Sequence, residues 1–359
     1  GETVKVIEGF RKSLVLTGFF ALSIGPGSAQ AVDAPFYQGK TINVIAVDQP
    51  GGTGDLRTRV VTQFLQKHLP GNPNIVMQYI PNDVLAANTL ANAVKRDGLT
   101  LGRVNSSVYA NAIFGAEGSR YKLADFSYFG GAEAGGPYLL IIRPGLGIDS
   151  VEKLKAYKGL RFANRNVGHT MYILDRMMAF TLDLKEPKWI LGYNSQEIRL
   201  AMERGEADAQ SNSIPSFMRG TQHWLKEGFS IPLIMKNIKG RGADVAPGFP
   251  QDRPSLDQFT DTEFKKAVLR FHNSIRPSGT VFVAPKGIPE PAFKALREAF
   301  NKVWSDPQFA TEFNRITKEE PDPVTGEEVE RVLEQAPKDP KVMEAYKQII
   351  GAGPLPSSR

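Results

Sequence analysis

Apolar and polar positions fall into two successive series of short strands and amphipathic helices. The first begins with the apolar run Ile42–Val47, followed by Gln49-Pro50-Gly51-Gly52-Thr53-Gly54-Asp55. Beyond that turn, Leu56, Val60, Val61, Phe64 and Leu65 recur at the spacing of a core-facing helical stripe. A loop at Pro70–Pro73 precedes a strand at Ile75–Tyr79, and a turn at Pro81-Asn82-Asp83 precedes a helix over Ala86–Arg96. Asp97-Gly98 ends that helix before a third strand, Leu99–Val104. Alternating strands and helices predict a parallel sheet with right-handed crossovers, and in such sheets ligands sit beyond the carboxyl ends of the strands. The glycine turn and Asn105-Ser106-Ser107 both lie at such ends.

The second series opens with the apolar strand Tyr138–Ile142 and a short helix capped at Asp149-Ser150. Strands follow at Leu160–Ala163, Trp189–Leu191, Ala207–Gln210 and Ile231–Met235, separated by helices over Met171–Leu182, from Ser195 to Arg204, and over Ser216–Lys226. Asn164–Thr170 is a polar loop at a strand end, and Ser211-Asn212-Ser213 lies at another. A loop rich in glycine and proline runs from Lys236 to Pro254, a helix spans Phe259–Arg270, and a strand spans Thr280–Ala284. Helices over Pro291–Trp304, after Asp306-Pro307 and after the capping box at Thr325 complete the chain, with a frayed tail expected from Gly351. Two series with polar or glycine-rich loops at comparable places suit an α/β protein of two lobes with a cleft between them.

The length of 359 residues and a 41% hydrophobic share are enough for two lobes with sizeable cores. The formal charge of +6 is spread without a basic block, so no nucleic-acid stripe is expected. Arg11 and Lys12, the apolar stretch Ser13–Ile24 and the small residues Ala29-Gln30-Ala31 have the order of an export signal cleaved near Ala31. That apolar stretch is short of the roughly 20 residues a membrane span needs. A periplasmic location follows as the expectation. No cysteine is present, which excludes disulfides, thiolate metal sites and cysteine nucleophiles.

Candidate chemistry is sparse. A glycine turn opening a helix offers unpaired N–H groups and a favourable dipole to an anion, or is an ordinary tight connection. It is neither the G-x-G-x-x-G dinucleotide fingerprint nor a phosphate loop ending in Gly-Lys-Ser/Thr. His68, His169, His223 and His272 have no metal-ligand spacing, no nucleophile elbow occurs, and the carboxylates read as helix surface charges. No catalytic residue, metal or cofactor is therefore expected. Arg165 stands at a strand end among small polar residues, where it either forks onto a carboxylate or faces solvent. His169 is a candidate ligand contact, and Tyr193 is a cleft wall or a core aromatic.

Gln49-Pro50-Gly51-Gly52 through Asp55 and Arg59 resembles the Pro-Gly-Gly…Asp…Ala-Arg opening of the substrate-binding proteins of tripartite tricarboxylate transporters, the Bug-type extracytoplasmic solute receptors. In order, Phe36–Ile42, Lys95–Leu101, Gly192-Tyr193, Ala201–Asp208, Val283–Pro289 and Asp322–Glu328 resemble further segments of that family, from about Phe36 to about Ile350. The resemblance implies a two-lobed type II periplasmic binding protein fold and no catalysis. It implies a small organic anion held in the cleft and delivered to membrane permease subunits, by a protein expected to be a monomer. Carried over by position, its carboxylate contacts are Gly52 and Thr53, Asn105 and Ser106, and Asn164, Gly168 and Thr170; Arg165, His169, Tyr193 and Ser213 complete the expected ligand-binding set.

Two departures stand out. The second turn is Pro81-Asn82-Asp83-Val84-Leu85 where relatives carry a Pro-Gly-Ala-Gly type, and Arg165 and His169 stand where smaller residues are common. A ligand with a second anionic or aromatic end is the corresponding expectation. The lobes are expected as residues 36–137, 138–237 and a return segment 238–359 to the first, after a signal at 1–31. The rival readings are a ligand sensor for a signalling partner and an exported enzyme on the same fold.

Overall fold

The chain builds the same sheet twice. The computed structural model describes residues 35–115, 117–133, 137–235, 252–276, 280–336 and 338–358. In the first half, β1 (Thr41–Ala46), β2 (Asn74–Tyr79) and β3 (Thr100–Asn105) are joined by β4 (Phe126–Glu133) and by two late strands, β10 (Thr280–Pro285) and β11 (Val324–Thr325). Their order is β11-β4-β10-β3-β1-β2, with β1 parallel to β2 and β3, and β10 antiparallel to β3 and β4. In the second half, β5 (Tyr138–Ile142), β6 (Arg161–Ala163), β7 (Lys188–Ile190), β8 (Ala209–Ser213) and β9 (Ser230–Met235) take the order β7-β6-β8-β5-β9. Here β6 is parallel to β7 and β8, and β5 is antiparallel to β8 and β9. Each half is thus three parallel strands, then one antiparallel strand, then a fourth strand of its own series, and the first sheet adds β11 antiparallel at its edge.

Helices cover both faces of each sheet, which is why the strands read as near-continuous apolar runs. On one face of the first sheet, Ile42, Val44, Leu101 and Phe282 pack against α1 (Thr53–His68), α9 (Glu290–Ser305) and α10 (Pro307–Thr317). On the other, Ile45, Val104 and Val283 pack against α2 (Asp83–Asn92), α3 (Ser106–Phe114) and α11 (Gly326–Gln335). The second sheet follows α4 (Val151–Ala156) with α5 (Thr170–Leu182) on one face, and has α6 (Ser195–Glu203) and α7 (Ile214–Gly220) on the other. Two late helices, α8 (Glu263–Ile275) and α12 (Pro340–Ile350), join the core beside α5, and Ala110 and Phe114 of α3 enter that same cluster.

Several expectations move. Asn82 caps α2 by accepting from Leu85 N at 2.9 Å, so the helix starts at Asp83, ahead of the predicted Ala86. The sequence reading left α3 and β4 unassigned. Asn105-Ser106-Ser107 is the start of α3 rather than a loop, and β4 carries three small residues, Gly130, Gly131 and Ala132, that weaken its strand signal. The tail is not frayed. Buried Arg176 donates to the carbonyls of Ile349 (2.7 Å), Gln348 (2.9 Å) and Gly353 (2.7 Å), and Ser358 donates to Asp183. The export signal at Arg11–Ala31 and most of the loop from Lys236 lie outside the described residues. No described helix is long and apolar enough to cross a membrane.

Candidate ligand cleft

The glycine turn is held from below by Asp55. Its carboxylate accepts from Gly51 N (2.8 Å) and from the Tyr79 hydroxyl (2.7 Å), and pairs with Arg59. Burial alone would raise the Asp55 carboxyl; the hydrogen bonds from Tyr79, Gly51 and Arg59 outweigh it and leave it below the usual carboxylate range. Gly51 needs its glycine, because its φ of 77° is left-handed. Gly52 is the N-cap residue of α1 and has no side chain to offer the first turn. Gly54 is glycine for a different reason. A Cβ there would lie 1.9 Å from Asp48 Oδ1, so the Asp48 carboxylate rests on the first turn of α1.

Asp48 is also ion-paired with Arg103 at 2.7 Å. Arg103 is only 2% exposed, and its guanidinium donates to Asn105 Oδ1 (2.7 Å) and Thr280 Oγ1 (3.2 Å). Asn105 in turn donates from Nδ2 to Asp83 Oδ1 at 3.0 Å. Asn105 is the N-cap residue of α3, yet its side chain does not cap the helix, being spent on Arg103 and Asp83. Burial pushes the carboxyls of Asp48 and Asp83 up; Arg103 chiefly opposes this at Asp48, and Arg165 at Asp83.

From the second half, Asn164 ends β6 and donates to buried Asp175 at 2.9 Å. Arg165 reaches across to the first half, donating to the Pro81 carbonyl at 3.1 Å. His169 is buried at the N-terminus of α5, its Nδ1 3.3 Å from Met171 N and its Nε2 3.3 Å from Arg165 Nη1. Burial first, then Arg165, pushes the imidazole down to about 3, so the ring is neutral at physiological pH. A neutral ring accepts at one nitrogen only, so those two contacts exclude each other. Gly168, with φ 77°, lies against the Asn111 amide of α3; a Cβ there would meet Asn111 Oδ1 at 2.9 Å. Arg219 of α7 makes a second crossing, donating to Thr53 Oγ1 and to the Thr317 carbonyl at 2.8 Å.

The seam between the sheets thus gathers Gly52, Thr53, Asn105, Arg165, Gly168 and His169, linked through the contacts above. Ser106 and Thr170 line a cavity of about 10 Å³ with Ala110, Ile173, His272 and Tyr346. Asn164 sits beneath this loop on Asp175. Tyr193 packs against the cluster of Ile198 and Met202, and its N–H donates to the Asn164 carbonyl at 3.3 Å. Ser213 pairs with Tyr138 in the sheet and caps α7, accepting from Ser216 N at 3.3 Å. A larger hollow of about 350 Å³ lies elsewhere, open to solvent between the end of α5 and the tail at Leu355–Ser358. Among the described residues no group of three or more His, Asp or Glu side chains is placed to hold a metal.

Sequence reasoning missed Asp48, Arg103, Asn111 and Arg219. The first two carried a signal, a charge inside or directly after an otherwise apolar strand. Asp83 was visible only as a departure in the second turn. The reading of carboxylates as surface charges is corrected: Asp55, Asp83, Asp175 and Asp208 are all buried, each held by hydrogen bonds from side chains or backbone.

No family model matches the chain, and no curated protein matches it in sequence. Solved structures do. The periplasmic binding protein BugD is 16% identical, with 87% of this chain and 98% of that one covered and a TM-score of 0.66. MatC of Rhodopseudomonas palustris, solved with bound malate, is 16% identical over 87% and 99% of the two chains, with a TM-score of 0.63. An R. palustris protein solved with adipate is 16% identical over 87% and 96%, also with a TM-score of 0.63. The chain has the two-lobed periplasmic binding protein fold. In that fold β10 and β5 are the strands by which each lobe borrows from the other half's connection, and the gathered loop tips lie between the lobes.

Proposed function

We propose that this protein is a periplasmic solute receptor that captures a small organic acid between its lobes and passes it, unaltered, to the membrane permease of a tripartite tricarboxylate-type transporter. The observation that carries this reading is the convergence of helix N-termini from both lobes on one seam. The starts of α1, α3 and α5 meet there, and Arg165 spans it to the Pro81 carbonyl. Helix N-termini and a fork-shaped guanidinium are the groups that recognise carboxylates. The malate and adipate in the two similar R. palustris proteins support the same ligand class.

The lobes meet closely. A cavity of about 10 Å³ admits no organic acid, whereas ligand sites usually span about 300 Å³ or more. In this reading the lobes separate for entry, breaking the Arg165 and Arg219 crossings, and closure re-forms them around the ligand. A thermal-shift screen with mono-, di- and aromatic carboxylates tests the reading, because a ligand bound only to the folded state raises Tm. At least one acid is expected to raise it, and the Arg165→Ala variant to lose that rise. A flat response across the panel overturns the reading.

A further inference from the structure

The two walls of the seam carry opposite charge. The first-lobe wall holds two carboxylates, Asp48 and Asp83, against one guanidinium, Arg103, and the second-lobe wall holds Arg165 beside the neutral His169. The same division repeats at the other crossing. There Arg57, Glu133 and Glu319 of the first lobe form ion pairs at 2.5 Å, facing Arg219 of the second. The start of α1, where an incoming carboxylate would seek amides, is already covered by Asp48. Asp83 is held beside the start of α3 by Asn105. Buried polar capacity remains in the seam. Among the described residues Arg103 Nε and both amide atoms of Asn111, residues 2% and 1% exposed, have no hydrogen-bond partner. The Asn111 amide lies directly between the lobes, against Gly168.

We propose that the ligand is dipolar: a small amino-substituted carboxylic acid whose ammonium faces Asp48 and Asp83 and whose carboxylate faces Arg165 and the start of α5. The proposal rests on the receptor reading and narrows its ligand class. When the lobes part, Arg165 leaves the first-lobe carboxylates behind in a low-dielectric wall. A second carboxylate placed there meets like charge, whereas an ammonium brings the opposite charge to Asp48 and Asp83 while Arg165 returns on closure holding the ligand's carboxylate. Asn111, with free donor and acceptor, serves either end.

Calorimetric titration of the full chain with matched probes decides the matter: β-alanine against succinate, 4-aminobutanoate against glutarate, and 5-aminopentanoate against adipate. For at least one pair the amino acid is expected to bind about tenfold or more tighter than the diacid, the discrimination that buried charge complementarity supports. Asp83→Asn is expected to erase that preference, weakening the amino probe and sparing the diacid. Arg165→Gln is expected to weaken both. Because Asp83→Asn preserves shape, a folded variant is expected; should it fail to fold, Asp48→Asn is read in the same way. Diacids binding tighter than every amino partner overturn the dipolar ligand and leave the organic-acid receptor standing. A preference for the amino probes that survives both Asp83→Asn and Asp48→Asn also overturns the assignment of the ammonium. Silence from all six probes overturns the proposal, and the receptor reading falls with it only if the wider carboxylate panel is silent too.

Discussion

The two lobes share one strand order and differ in what they bury at its tips. Counting back two residues from the N-cap of the helix that follows the third strand gives Arg103 in the first lobe and Ser211 in the second. Arg103 anchors Asp48, Asn105 and Thr280; Ser211 is uncharged, donating to the Met178 sulfur at 3.6 Å and facing the Asp175 carboxyl. The same backbone plan therefore supports a buried ion-pair network at this position in one lobe and an uncharged side chain in the other. Three of the helices that start at the cleft differ likewise. His169 and Ser213 cap α5 and α7 with their own side chains, whereas Gly52 offers α1 none and the Asp48 carboxylate lies against Gly54 in its first turn. Architecture is set by apolar periodicity, and the polar character of each wall by which residue each half places at equivalent tips.

The strongest way to break this comparison is at the paired positions. Arg103→Ala strips a buried carboxylate of its counter-ion, and about 3–5 kcal/mol of stability is expected to go. Ser211→Ala, at the matching place, is expected to cost less than about 1 kcal/mol. Urea melts of both variants measure this, and equal losses would show that the charge at Arg103 has no special weight.

A second test uses pH. Burial, opposed by Ser211 and Asn164, pushes the Asp175 carboxyl up to about 7 in the folded protein, above its unfolded value near 3.9. The folded state therefore holds a proton that the unfolded state has released, and this group's contribution to stability falls as pH rises from about 4 to about 7. Asp175→Asn is expected to flatten that decline in denaturation midpoints measured across the range. The matching position in α1 is Thr58, whose hydroxyl donates to the Gly54 carbonyl at 2.7 Å, so Thr58→Val is expected to leave the pH dependence unchanged.

The smallest effect is expected at the turns. Gly168→Ala adds a methyl against Asn111 at a left-handed φ, for a loss of about 1–2 kcal/mol and weaker closure around ligand. Gly52→Ala, at φ −74°, is expected to cost about 1 kcal/mol or less, as an N-cap change from glycine to alanine does. Thermal melts and ligand titration of the two variants separate strain at the seam from ordinary capping.

The parallel strands, their helices and the doubled plan were legible because apolar spacing states them directly, as in Leu56, Val60, Val61 and Phe64. β4 was not, since Gly130 and Gly131 remove the side chains that would mark it; backbone oxygens of Val324 and Thr280 occupy the space where their Cβ atoms would stand. The loop tips at Gly52, Asn105 and Gly168 were legible from turn chemistry. Asp48, Arg103 and Asn111 were not, because their meaning lies in neighbours far away in sequence. A charge reads as surface until its partner is seen.

The late helix α12 has a mechanical consequence. Its Tyr346 ring packs on Phe114 of the first lobe at 5.1 Å and on Phe271 of α8 at 4.9 Å, and its end is fastened by Arg176 of α5. A strut wedged behind the jaws in this way tethers them at the back. Truncation of the last turn of α12 is accordingly expected to loosen this back contact and lower Tm.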